Sequence, residues 1–341
     1  MLALLIVLAL PIEVLLESHG FGRPQRDTRL DEAAEALAAR VALDEGEVAA
    51  GQLRFLLDKY GVADARVVPL SGFEAPVPAV LARLDRRFPP THYGMGTADR
   101  GGHLLTTVLL VHRGAVLTDT VPLAVKVSEI RQLRGQLRPG YSRPRLLVAP
   151  PGQPVREQPA AGAGRGIDAV VAFDGPTGMW GVELVADSEH GPVVLTNQRV
   201  YVGETPPDLP RVNLSPGPTT MAPEPVLVAW INQLRSDHRL GTLQVDPRLV
   251  AVAQAHAEDL ERQGALVHLT PETGTLTTRL KAQQIRVLAS AENLARADDV
   301  RAAMRAFLQS PGHLRNLLLP ELSHVGVGVK GRYFAVVLVR L

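Results

Sequence analysis

Residues 310–316 read S-P-G-H-L-R-N, and this stretch decides how the C-terminal third of the chain is interpreted. Upstream of it, H-L-T stands at 268–270 and A-E-N-L-A at 291–295. The candidate functional residues of the three pieces are His268, Glu292 and His313. Their spacing is not that of a local metal motif such as H-E-x-x-H, so these side chains can meet only through the fold.

The sequence around these pieces predicts three helices beside a small sheet. The signals are proline at the first helical positions, an Asp before a Pro, and Gly after the last apolar residue. They place the first helix start at 223–225, the second helix at 246–263, the third helix start at 298–299 with its stop at 310–312, and strands at 324–329 and 333–338.

The order and spacing of these motifs resemble the bacterial form of the CAP superfamily (cysteine-rich secretory proteins, antigen 5 and pathogenesis-related 1) over residues 226–341. The resemblance implies an α-β-α sandwich with a cleft lined by two His and two Glu. It places His268, Glu292 and His313 in this cleft, and its further lining residues are Asn293, Ser310 and His256.

One departure from the family pattern affects the chemistry. The position of the second cleft Glu falls on Ser310, so the cleft becomes a His–Glu–His triad. Any mechanism that needs two carboxylates in the family's positions loses one of them. The fold implied by the resemblance is unaffected, because bacterial members carry this S-P-G-H form.

Two imidazoles that converge in a cleft suit Zn²⁺ or another divalent cation, so the resemblance makes His268, His313 and Glu292 the candidate metal ligands. Glu292 has three open roles: a third ligand, an orienting partner of a ligand, or a general base on a bound water. A purely structural alternative stays open as well, in which His268 only hydrogen-bonds Glu292 and His313 only ends a helix.

An internal repeat is visible when residues 12–38 are aligned without a gap on 231–257. Eleven of the 27 positions are identical. H-Y-G-M-G at 92–96 likewise matches H-V-G-V-G at 324–328. We therefore predict a first, degenerate CAP-like domain at 12–117 that lacks the cleft motifs. Its Leu37 stands where the second copy has His256, which makes His256 an additional site candidate.

Between the two copies, residues 118–203 predict an all-β, Ig-like sandwich, because short apolar runs alternate with Pro, Gly and Asp turns. The predicted strands are 122–127, 144–149, 167–173, 179–186 and 192–202. In the fourth strand, Trp180 is predicted to face the core and Glu183 the solvent. A Pro-rich linker at 204–225 precedes the C-terminal domain. The fold class expected for the whole chain is α+β.

Composition limits the choice of compartment and partner. The chain has 341 residues, no cysteine, and 36 Lys+Arg against 35 Asp+Glu. This balance, without a long basic run, argues against nucleic acid as a partner. Residues 1–10 are apolar but too short to span a bilayer. Residues 1–11 are therefore predicted to be the remnant of a secretion signal, with a buried helix or strand start as the alternative.

The sequence thus favours a secreted, periplasmic or envelope-associated binding protein over an enzyme. Its cleft is expected to hold a divalent metal or a small lipid, peptide or cell-wall ligand. Two alternatives remain: a metal-dependent peptidase or esterase with Glu292 as base, and a structural spacer whose cleft binds nothing.

Overall fold

The structure is a computed structural model that describes residues 11–43, 50–72, 84–207 and 222–341. The predicted signal remnant and most of the Pro-rich linker lie outside these described residues. The chain divides into two compact units: Met1–Pro139 with Ala161–Met179 and Val194–Asn213, and Gly140–Ala160 with Trp180–Val193 and Leu214–Leu341. No helix in the described ranges is long and apolar enough to cross a membrane.

The N-terminal part of the first unit contains helices and a mixed sheet. The helices are α1 (Ile12–Ser18), α2 (Thr28–Leu43) and α3 (Ala50–Lys59), and the strands are β1 (Gln25–Arg26), β2 (Arg66–Gly72), β3 (His92–Arg100) and β4 (His103–His112). The sheet order is β1-β3-β4-β2. Its short strand β1 pairs in parallel with β3, Gln25 lying opposite His92.

The middle of the chain consists of β-strands, as the turn-rich sequence predicts. They are β5 (Ala115–Asp119), β6 (Ala124–Val125), β7 (Ile130–Leu137), β8 (Ser142–Ala149), β9 (Arg156–Pro159), β10 (Gly166–Ala172), β11 (Gly178–Ser188) and β12 (Gly191–Val202). In the first unit, β7 pairs antiparallel with β10 and β5, and β12 pairs with β6. In the second unit, β8 pairs antiparallel with both β9 and the part of β11 from Gly181 onwards.

The sequence did not predict β5, β7 and β9. In β7, which reads I-R-Q-L-R-G-Q-L, apolar and polar residues do not alternate and only Leu133 and Leu137 are buried, so the strand has a weak apolar signal. The domain boundaries proposed from the sequence stay a prediction.

The C-terminal region of the second unit is an α-β-α arrangement. Its elements are α4 (Pro223–Asp237), β13 (Gln244–Val245), α5 (Pro247–Gln263), α6 (Leu276–Ala282), β14 (Ala289–Arg296), α7 (Val300–Gln309), α8 (Pro311–Leu317), β15 (His324–Lys330) and β16 (Tyr333–Arg340). The sheet order is β13-β15-β16-β14. A core cluster that includes Ile231, Phe307 and Val336 joins the helices to the sheet.

The predicted helix signals in this region are confirmed. The side chain of Asp246 caps α5 by accepting from the Arg248 amide, and Gly264 ends this helix with a φ of 63°. At the third helix the cap is Asp299, which accepts from the Ala302 amide. Ser310 ends α7, as expected, but it also begins α8, a helix that the sequence analysis missed.

Two glycines of β15 set the distance between the sheet and α5. A Cβ on Gly326 would lie 2.1 Å from the carbonyl carbon of Leu249, and one on Gly328 would lie 2.2 Å from the amide nitrogen of Gln254. Such distances leave no room for a side chain, so the helix can pack on the sheet only with glycine at both positions. The close packing holds α5, and with it His256, against the sheet.

Candidate functional site

Glu292 is the centre of the polar cluster in the C-terminal region. It lies on β14, its side chain is 3% exposed, and its residue pairs with Val337 of the central strand β16. One carboxylate oxygen, Oε2, lies 2.8 Å from Nδ1 of His268. The other, Oε1, accepts a hydrogen bond of 2.6 Å from Nη2 of Arg279 on α6. Both oxygens are therefore engaged by groups that stabilise the charged form.

The charge of this buried carboxylate is balanced locally. Burial alone would raise the pKa of Glu292, but the hydrogen bond from His268 and the electrostatic interactions with His268, His256 and Arg279 outweigh it. The pKa of Glu292 is consequently lowered, and the group is a carboxylate at neutral pH.

His256 approaches the same carboxylate from α5. Its Nε2 lies 3.7 Å from Oε2 of Glu292, beyond hydrogen-bonding distance, and the side chain is fully buried. Within the described part of the chain, neither ring nitrogen has a hydrogen-bond partner. Burial lowers the pKa of His256 to about 4, which the neighbouring Glu292 only partly offsets. The imidazole is therefore neutral at physiological pH.

His313 lies on α8, two residues after the proline that begins the helix. Its ring packs edge-on against Phe307 with 5.3 Å between centroids. Nδ1 is inaccessible to solvent and has no hydrogen-bond partner among the described residues. Burial lowers the pKa of His313 to about 3, and the electrostatic interaction with His268 acts in the same direction. This imidazole is neutral as well.

Asn293 and Ser310 position the backbone around His313. Asn293 is fully buried, and its Nδ2 donates to the carbonyl oxygen of His313 at 3.0 Å. Its Oδ1 accepts from Nδ2 of Asn316 at 2.9 Å. Ser310 caps α8 by accepting from the His313 amide at 3.3 Å. Neither residue donates or accepts at an imidazole of the cluster.

The structure thus places nitrogens of His268 and His256 within 4 Å of the Glu292 carboxylate. His313 is linked to this cluster by the hydrogen bond from Asn293 to its backbone carbonyl and by its electrostatic interaction with His268. Sequence analysis missed Arg279, which is 5% exposed and supplies the permanent positive charge beside Glu292. Nothing in the sequence marks it, because the short helix that carries it has no predicted apolar periodicity.

Sequence analysis also missed Glu183, and its predicted orientation is wrong. The alternation in β11 places Glu183 in solvent, but its exposed fraction is 0%. Its Oε1 accepts from the hydroxyl of Ser310 at 2.8 Å, and its Oε2 accepts from the Gly312 amide at 2.7 Å. This face of β11 is buried because α8 covers it, and a contact between segments so distant in sequence is invisible to strand periodicity.

The side chains of the cluster provide only part of what a divalent cation requires. In the described part of the chain, no group of three or more His, Asp or Glu side chains is placed to hold a metal. Glu292 uses both oxygens for Arg279 and His268, so this geometry favours it as an orienting partner rather than as a ligand. The imidazole nitrogens of His268 and His313 are the type of donor that a divalent cation takes, and Nε2 of His268 is not used by Glu292.

Comparison with known families agrees with this fold. Residues 228–337 match the family model described as CAP, the cysteine-rich secretory protein family. The C-terminal region is therefore a bacterial-type CAP domain, and the resemblance inferred from its motifs is confirmed.

Two uncharacterised proteins of Bacillus subtilis (strain 168) share this part of the chain. The membrane protein YlbC is 33% identical over 104 residues, which are 30% of this chain and 30% of YlbC. YkwD is 30% identical over 117 residues, which are 32% of this chain and 46% of YkwD. The chain thus spans less than half the length of either relative.

Solved structures show the same kind of partial similarity. An extracellular protein containing an SCP domain from Bacillus anthracis str. Ames is 25% identical, with a TM-score of 0.35, covering 48% of this chain and 60% of its own. An outer surface protein from Borrelia burgdorferi is 23% identical, with a TM-score of 0.32, covering 34% of this chain and 90% of its own.

Proposed function

We propose that this protein is a secreted or envelope-associated CAP-domain binding protein whose cleft holds a small ligand at the cluster of His268, Glu292, His256 and His313. The observation that carries the proposal is the set of buried imidazole nitrogens of His256 and His313 that have no partner among the described residues. A buried polar atom without a partner destabilises a fold by about 1–3 kcal/mol, and a bound ligand removes that penalty.

A divalent cation such as Zn²⁺ is the simplest ligand for this chemistry. His268 and His313 would hold it, and bound there it would supply a Lewis-acidic centre for a polar group of a lipid, a peptide or a cell-wall fragment. Glu292 accepts from Nδ1 of His268, which fixes the tautomer and leaves Nε2 as the donor atom. The neutral state of His313 is the state that a metal ligand requires.

The geometry does not favour the hydrolase alternative. A general base must be accessible to the group whose proton it removes and must be free to accept that proton. The carboxylate of Glu292 already accepts from Arg279 and His268, and it is almost inaccessible. A binding role therefore fits the cluster better than proton abstraction by Glu292.

We propose that the N-terminal region at 12–117 is a degenerate copy of the CAP domain that carries no site. The two sheets have the same strand order, with a short parallel strand at one edge. Gly94 and Gly96 approach α2 as closely as Gly326 and Gly328 approach α5. Leu37, in the place of His256, is buried in an apolar cluster, so its side chain offers no ligand atom there.

Calorimetric titration of the full chain with ZnCl₂, after removal of metal by a chelator, tests the site. We expect the wild type to bind and the double variant His268→Ala, His313→Ala to lose binding. His238→Ala is the matched control, because His238 is exposed and its Nδ1 contacts only the Leu234 carbonyl of its own helix. If the double variant and the wild type bind ZnCl₂ with equal affinity, His268 and His313 do not form the site. If the wild type does not bind ZnCl₂, the proposal that the ligand is a divalent cation is wrong.

A further inference from the structure

A second buried carboxylate reaches the CAP domain from outside the family-matched residues. Glu183 lies on β11, and both of its oxygens are bonded to the turn that begins α8: to the hydroxyl of Ser310 at 2.8 Å and to the amide of Gly312 at 2.7 Å. Burial raises the pKa of Glu183 to about 7, although the two hydrogen bonds lower it. Because both partners are uncharged, burial of the charged carboxylate at this position is energetically unfavourable.

The backbone around Glu183 is shaped for this contact. Gly181, two residues earlier on the same strand face, lies so close to Pro311 that a Cβ would be 2.8 Å from the proline ring. On strand β9, which β8 separates from β11, Glu157 forms an ion pair with Arg315 of α8. The helix that carries His313 is therefore held at both of its ends by side chains of the upstream β region.

The same β region also reaches the other histidine of the cluster. The amide of Leu269 donates to the carbonyl oxygen of His190 at 3.3 Å, next to His268. At Gly191, with a φ of 95°, a Cβ would lie 3.2 Å from Cβ of His268. The segment Trp180–Val193 thus contacts the chain at His268 and at the α8 turn, although it lies outside residues 228–337.

We propose that Glu183 is a positioning residue of the CAP cleft: by binding Ser310 and Gly312 it fixes the start of α8 and therefore the place of His313. The segment Trp180–Val193 is then a wall of the cleft that the CAP sequence itself does not encode. The carboxylate missing at Ser310 is supplied 2.8 Å away by a different strand. This inference deepens the proposed function, since it assigns the element that holds one of the two candidate ligands.

Hydrogen exchange of the full chain tests the contact without any ligand. In Glu183→Leu the Gly312 amide loses its charged acceptor, so we expect exchange at Gly312 and His313 to accelerate by about tenfold or more. Glu183→Gln keeps an acceptor and a donor of the same size, so it should stay close to the wild type. Glu157→Gln is the matched control: it changes the exposed ion pairs with Arg315 and Arg145, away from the start of α8, and should leave exchange at Gly312 unchanged.

A second readout separates positioning from simple stabilisation. In Glu183→Leu the imidazole resonances of His313 should shift, and the Kd for ZnCl₂ should rise by about tenfold, while in Glu183→Gln both should stay near wild type. Unchanged exchange at Gly312 together with unchanged His313 resonances would overturn the inference. If the wild type binds no Zn²⁺, the proposed cation fails, and exchange and resonances alone still decide the role of Glu183.

Discussion

Two buried carboxylates of the second unit have opposite protonation behaviour, and the difference comes from their partners. Glu292 has an arginine and histidines around it, and its pKa is lowered despite burial. Glu183 has a hydroxyl and an amide, and burial raises its pKa to about 7. The first group is a permanent charge that orients His268, whereas the second is on the edge of protonation at neutral pH.

This difference predicts how the stability of a Glu183→Gln variant depends on pH. The carboxyl titrates near 4.5 when unfolded and near 7 when folded, so between these values the folded state holds a proton that the unfolded state has lost. The free energy of unfolding of the wild type therefore falls over this range as pH rises, while glutamine does not titrate. As pH rises from about 4 to about 8, the free energy of unfolding of the variant should therefore increase relative to that of the wild type by up to roughly 3 kcal/mol.

Urea titration followed by tryptophan fluorescence measures this change, because Trp180 and Trp230, the two tryptophans of the chain, both belong to the second unit. Glu157→Gln, at an exposed position of the same unit, is the control for general charge effects. A stability difference between Glu183→Gln and wild type that stays constant with pH would contradict the predicted protonation.

At the scale of the element, the S-P-G-H turn ends one helix and begins another, although the sequence predicted only the end of the first. Ser310 ends α7 and caps α8, and Pro311 occupies the first turn of the new helix, where a missing amide hydrogen has no consequence. The kink between the two helices presents the Ser310 hydroxyl and the Gly312 amide to Glu183. A motif that predicts only a helix stop is therefore also the docking point for another strand.

The glycines of β15 give a prediction for the contact between sheet and helix. Gly326→Ala places a Cβ 2.1 Å from the Leu249 backbone, so α5 must move away from the sheet. We expect the free energy of unfolding to fall by about 3 kcal/mol. Gly94→Ala should disturb the first unit in the same way, since its Cβ would lie 2.2 Å from the Leu30 backbone.

Gly241→Ala is the control, because nothing lies within 4 Å of its Cβ position. Urea titration of the three variants checks the expectation, with fluorescence reporting on the second unit and circular dichroism on both. Equal stability of Gly326→Ala and Gly241→Ala would show that α5 tolerates a wider separation.

At the scale of the whole molecule, the compact units do not follow the order of the chain. The second unit takes Gly140–Ala160 and Trp180–Val193 from the middle of the sequence in addition to the C-terminal region. Strands β8 and β9, with most of β11, therefore group with the CAP domain. A CAP domain cut from the chain at its sequence boundary would lack part of its own compact unit.

An isolated fragment of residues 222–341 tests this arrangement. Without β11, the Ser310 hydroxyl and the Gly312 amide lose Glu183, and Pro311 loses its packing against Gly181. We expect amides 312–317 to exchange at least about tenfold faster in the fragment than in the full chain. The amides of β16, which are paired on both sides within the domain, serve as the internal control. Equal protection of α8 in both proteins would contradict the prediction.

The sequence by itself determined the elements whose signals are local. Capping residues, prolines and apolar periodicity identified α4, α5 and α7 and the strands β15 and β16, and the ordered motifs identified the CAP domain. They also selected His268, Glu292 and His256, which the structure brings together. The predictions of helices and strands succeeded because a cap or a helix face is defined by residues within a few positions of one another.

Only the tertiary structure decided the partners of the buried charges. Arg279 comes from a short helix with no apolar pattern, and Glu183 lies 127 positions before the serine that it contacts. Strand alternation placed Glu183 in solvent because it records which residues share a face and not what covers that face. Electrostatics in a buried cluster depend on distances between side chains that the chain brings together only when it folds.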